Sequence, residues 1–131
     1  MLTDYHLHLR PDDGAATAAE YLTAANAAVY REAAREAGID ELGVSEHIHR
    51  FRQSLDIWDH EFWRESAVDD LDDYCAFVRD DTDLRLGIEM DYVPGREDRT
   101  RNVIERGGFD YVVGSVHFLG DLAVDWDRYD I

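Results

Sequence analysis

Residues 4–14 read DYHLHLRPDDG, and they set two imidazoles, His6 and His8, two positions apart directly after a short apolar lead-in. On a strand, side chains two apart point the same way. If LTDYHLH (residues 2–8) is a strand, His6 and His8 reach into one space and Leu7 packs on the opposite side. The meaning of the pair then depends on what the remaining strands bring to the same place.

Outward from this segment the chain alternates short β-type runs with longer helical ones. An Ala-rich stretch from Thr17 to Ala37 predicts a helix, with Thr17 and Glu20 at capping-box spacing and Gly38 as its stop. ELGVSEH (41–47) reads as a second strand. Residues 48–65 are aromatic and charged by turns and read as a long ordered loop. SAVDDLDDYCAFVRDD (66–81) predicts a helix capped by Ser66, with Asp69 in its first turn. DLRLGIEMDYV (83–93) is a third strand, residues 97–106 a helix stopped by Gly107 and Gly108, and FDYVVGSVHF (109–118) a fourth strand. Strands alternating with helices predict a parallel sheet of α/β class, a partial (β/α) barrel.

Parallel α/β sheets collect their sites at the carboxyl ends of the strands. Here each strand ends in donors: His6 and His8 on the first, Glu46 and His47 on the second, Glu89 followed by Asp91 on the third, His117 on the fourth. Imidazole ligates zinc, iron and manganese, and a carboxylate can bridge two cations. A buried Glu89 would be costly without a cation or donor beside it. An isolated HxH carries little weight, but donors at four equivalent strand ends predict a metal centre. His49 and His60 fall off the strand ends and read as solvated or packing residues; Asp69, Asp70, Asp72 and Asp73 read as a solvated helix face.

The totals narrow the partners. The 131 residues are 45% apolar, enough for one packed domain. Thirty acidic residues oppose thirteen basic ones, all Arg, for a net charge of −17. Such a surface repels phosphate backbones and anionic lipid, which disfavours nucleic acid and membranes as partners and attracts divalent cations. The single cysteine, Cys75, excludes an internal disulfide and a thiolate zinc cluster, and reads as a small core residue in a reducing cytoplasm. No signal peptide or membrane span is legible.

DYHLHLRPDDG, SEHIHRF (45–51), LGIEMDYVPG (86–95) and VVGSVHFLG (112–120) together resemble the ordered motifs of the PHP domain (polymerase and histidinol phosphatase), nearest its histidinol-phosphatase branch. The resemblance implies a distorted, TIM-like (β/α)7 barrel with two or three divalent metals (zinc, iron or manganese) at its mouth. On that reading residues 1–131 are the N-terminal portion of one such domain, holding its first four β/α units, and the piece alone is expected to fold poorly and lack activity. His6 and His8 would bind the first metal, Glu89 would bridge the first and second, His117 would bind the second, and His47 the third. Asp4 and Glu46 would orient the imidazoles from behind, and Arg50 and Arg52 would grip phosphate. No side-chain nucleophile is assigned; a hydroxide held by the metals would take that role. Many family members carry a further His shortly after the HxH pair, where this chain reads RPDDG, leaving Asp12 or Asp13 as replacements.

The implied activity is hydrolysis of L-histidinol phosphate in histidine biosynthesis, a small phosphorylated substrate being the partner. Two other readings stay open: a PHP phosphoesterase acting on a nucleotide or phosphotyrosine, and a non-catalytic metal-binding module that needs a partner.

Overall fold

The computed structural model describes residues 1–12 and 16–124. The strands β1 (Thr3–Asp4), β2 (Glu41–His47), β3 (Arg85–Asp91) and β4 (Tyr111–Ser115) form one sheet in the order β1-β2-β3-β4. All three pairings are parallel. Helices α1 (Ala18–Tyr21), α2 (Ala24–Glu36), α3 (Glu61–Ser66), α4 (Leu71–Asp81) and α5 (Glu97–Gly107) lie in the crossovers, and a hairpin of β5 (Phe118–Leu119) and β6 (Leu122–Ala123) follows. The sheet curls into a partial β/α barrel, as the alternation predicts. Neither β1 nor β4 has a strand partner on its outer side among the described residues.

Parity along β2 and β3 separates two chemistries. Leu42 and Val44 of β2 and Leu86, Ile88 and Met90 of β3 face the helices, joining Ala27 and Ala34 of α2, Leu71, Tyr74, Cys75 and Val78 of α4 and Val103 of α5 in the apolar core. Each large side chain buried this way contributes roughly 1.5–3 kcal/mol of transfer free energy. The Tyr74 hydroxyl lies 2.8 Å from the Gly87 carbonyl and 3.1 Å from that of Val44, so α4 is pinned to the middle of the sheet.

The alternate residues face inward and are polar or lack a side chain: Glu41, Gly43, Ser45 and His47 on β2, and Arg85, Gly87, Glu89 and Asp91 on β3. At the amino end Arg85 pairs with Glu41 at 2.8 Å, and Glu41 also accepts from the Tyr5 hydroxyl. Above them the Tyr111 ring of β4 lies flat across two glycines. A Cβ at Gly87 would overlap this ring and one at Gly43 its hydroxyl, so both neighbours must be glycine for the ring to fit. The donors sit above this floor, at the carboxyl ends.

Several local expectations change. The Ala-rich stretch is two helices, because Thr23 starts a new one by accepting from the Asn26 amide at 3.1 Å. The capping box of Thr17 and Glu20 is present on α1. Ser66 closes α3, and Asp70 is the cap of α4, accepting from the Asp72 and Asp73 amides. The loop over residues 48–65 holds two 3-10 turns, Ile48–Arg50 and Arg52–Asp56, besides α3. Asp69 is no solvated helix residue: it is 5% exposed and accepts from the Tyr21 hydroxyl and Arg10. Periodicity could not show this, since the helix is capped at Asp70, four residues after the Ser66 cap that the sequence suggests. Asp13 and Gly14 lie outside the described residues.

Candidate metal centre

The inward parity of β3 sets Glu89 beneath the mouth, 3% exposed. Four imidazoles from three other segments converge on it. His6 Nε2 is 3.0 Å, His8 Nε2 3.3 Å and His47 Nδ1 3.2 Å from Glu89 Oε2, and His117 Nε2 is 3.5 Å from Oε1. His6 and His8 leave the end of β1, His47 closes β2 in register with Glu89, and His117 follows β4 by two residues. Two sets of donors are close enough to hold an ion each: His6, His8 and Glu89, and His47, Glu89 and His117. Glu89 belongs to both: its Oε2 meets His6, His8 and His47, and its Oε1 meets His117.

The electrostatics match a cation site. Burial raises the Glu89 carboxyl, but the imidazoles of His8, His47 and His6 outweigh it and hold the group at about 2. Burial and the neighbouring His49 push His47 down to about 3 against the pull of Glu89. Neutral imidazole beside ionised carboxylate is the protonation state a divalent cation requires. The Nδ1 atom of His47, the nitrogen that faces Glu89, is buried and makes no aligned hydrogen bond among the described residues. Buried polar atoms are normally satisfied, and an ion beside the carboxylate is one of the few groups that accounts for this one. The residues present therefore fit divalent metals.

Of the residues expected to surround the ligands, Asp4 and Glu46 hydrogen-bond to backbone amides. Asp4 Oδ1 accepts from the His6 backbone amide at 3.0 Å. Glu46, fully buried, accepts from the backbone amides of Leu9 and Arg10 at 2.5 and 3.1 Å. Both carboxylates thus fix the backbone that carries the histidine pair, where the resemblance implies contact with the rings. Arg50 is tied to Glu46 at 2.7 Å and to Asp12 at 2.8 Å, while still lining the cavity beside the donors. Arg52 is turned to Asp70 and the Val68 carbonyl at the start of α4 and does not line that cavity. The cavity, of about 480 Å3, is walled by Asp12, His47, His49, His117 and the rings of Phe62 and Phe118 besides Arg50.

The resemblance implies a site of its own for His47; the structure places it with Glu89 and His117. Two residues gain a place the sequence reading did not give them: Asp91, named only as a donor at a strand end, and His49, read as solvated or packing. His49 is half-buried against the centre, its ring 4.8 Å from that of His47, and Asp91 is 1% exposed with its Oδ2 3.7 Å from His49 Nδ1. Parity marks Asp91, which shares the inward face of Glu89; nothing in the sequence marks His49, which sits in a 3-10 turn. His60 packs in the aromatic cluster of Trp58 and Phe118, as expected.

Comparison with known proteins agrees with this geometry. A probable histidinol-phosphatase of Deinococcus radiodurans is 33% identical over an alignment of 103 positions that covers 73% of this chain and 37% of that protein. The chain thus spans little more than a third of that relative's length. The PHP domain model matches residues 4–130, a span that takes in Glu89, the four imidazoles around it and nearly all of the sheet. With donors, strand order and family model in agreement over nearly the whole length, the chain belongs to the PHP domain family.

Proposed function

We propose that this chain carries the metal-binding part of a metal-dependent phosphoesterase, and that its ester is L-histidinol phosphate. The observation that carries the reading is the single buried carboxylate of Glu89 reached by four imidazoles. Divalent cations bound there supply charge neutralisation at phosphate oxygens and lower the pKa of water toward neutrality. Glu89 would help to hold both ions. His6 and His8 would complete one, and His47 and His117 the other. Arg50 adds a fixed positive charge to the cavity wall, held by Glu46 rather than swinging freely. Phe62 and Phe118 give the same cavity an apolar side suited to the organic part of a small ester. The name of the Deinococcus relative supports the histidinol ester; the family match supports phosphoesters as a class.

The test is phosphate release by the full-length protein reconstituted with zinc, manganese or iron. L-histidinol phosphate, nucleoside monophosphates and a phosphotyrosine peptide would be compared. Turnover of the histidinol ester above the others, abolished by a chelator and restored by metal, is expected. Brisk release from another ester with none from L-histidinol phosphate would overturn the substrate assignment. Release unaffected by chelation would overturn metal dependence.

A further inference from the structure

Asp91 belongs to neither donor set, yet it is as deeply buried as Glu89. The β3–β4 register puts it opposite Ser115, two residues before His117. Its Oδ1 lies 2.6 Å from His117 Nδ1 and 3.1 Å from Ser115 Oγ. Its Oδ2 faces His49 Nδ1 at 3.7 Å and makes no aligned hydrogen bond among the described residues. A carboxylate can only accept. Ser115 must therefore give its hydroxyl proton and His117 its Nδ1–H. A neutral imidazole has one N–H, so with the proton on Nδ1 the lone pair sits on Nε2. Nε2 is the nitrogen that points at Glu89.

We propose that Asp91 is a positioning residue: it fixes His117 in the Nδ1–H tautomer and turns Nε2 toward the cation shared with Glu89. The inference rests on the reading of His47, Glu89 and His117 as a cation site. Its partners make the carboxylate hard to displace. Ser115 anchors one oxygen. His49, held between the rings of His47 and Phe62, closes the side of the other. A carboxylate behind a ligating imidazole raises ligand basicity and fixes ring orientation, and its loss weakens metal binding about 10- to 100-fold in general.

Two-bond 1H–15N spectra of the 15N-labelled chain, with His117 assigned by its disappearance in His117→Gln, read the tautomer directly. In the metal-free protein the proton is expected on Nδ1 of His117, and zinc is expected to shift Nε2. The Nε2–H tautomer in the metal-free protein, or zinc on Nδ1, would overturn the role of Asp91 while leaving the site in place. No zinc response from any imidazole would overturn the site reading, and the role of Asp91 with it. Asp91→Asn is expected to weaken zinc binding by about 10-fold or more, with Asp91→Glu recovering part of the loss. An Asp91→Asn protein with the wild-type circular dichroism spectrum and wild-type zinc affinity would also overturn the proposal. Should that variant fail to fold, the wild-type spectra decide alone.

Discussion

Arg50 Nη1 lies 2.7 Å from Glu46 Oε2, four residues earlier in sequence, in a pair almost fully withdrawn from water. Burial pushes the Glu46 carboxyl up, and Arg50 with the Leu9 and Arg10 amides pulls it back. Removing one partner of a buried pair strands the other, at a cost of about 3–5 kcal/mol. Glu46→Ala is therefore expected to destabilise the protein by that order, since it also strands two backbone amides. Urea unfolding followed by Trp fluorescence would show it. A loss under about 1 kcal/mol, the level of an exposed pair, would mean that the network is not held as described.

Glu89→Gln keeps the shape of the side chain and removes its charge. Equilibrium dialysis against zinc followed by elemental analysis should find both sites depleted, because the two donor sets share this residue. His6→Asn, by contrast, should deplete one site and spare the other. Full occupancy in the Glu89→Gln protein would contradict a shared carboxylate.

Acidification should destabilise the metal-free fold. His47 titrates near 6.5 when unfolded and at about 3 when folded, so between these values the unfolded chain holds a proton that the folded chain lacks. Stability then falls as pH falls through that window. Glu89 adds to the loss below its ordinary 4.5, toward its folded value of about 2. Each such proton contributes a slope of up to about 1.4 kcal/mol per pH unit. Urea midpoints should hold level above about pH 7 and drop progressively below about 6.5. A midpoint that stays level down to about pH 4 would contradict the depressed His47.

Gly87→Ala drives a methyl into the Tyr111 ring, which already fills the space a Cβ would need. Overpacking of this kind costs typically about 1–3 kcal/mol. Tyr111→Leu in the same chain should recover part of that cost, a non-additivity that marks direct contact. Tyr111→Phe should cost little, because the buried Tyr111 hydroxyl makes no aligned hydrogen bond among the described residues. Additive thermal shifts for Gly87→Ala and Tyr111→Leu would argue against the flat ring over the glycines.

The strand ends were legible in sequence because two independent signals coincide there: a β-type run, and a His, Glu or Asp at its carboxyl end. His6, His8, His47, Glu89 and His117 accordingly meet in space. What stayed hidden depends on pairing register and loop path. Asp91 gains its partners from β4 and the residues just after it, 24 and 26 positions on. His49 is brought inward by a 3-10 turn that no periodicity announces. Arg50 follows His47 closely enough to suggest a free phosphate grip, but its carboxylate partner Glu46 sits just before that histidine and claims it. The break at Thr23 was masked by alanines, which favour helix on both sides of it.

The rings of His8, His47 and His49 lie in a near-parallel row, with centroids 4.3 and 4.8 Å apart and interplanar angles of 23° and 24°. Rings packed this closely share their space, so a change of volume at His8 or His49 is expected to be taken up by His47 between them. Phe62, against His49 at the far end of the row, also lines the cavity.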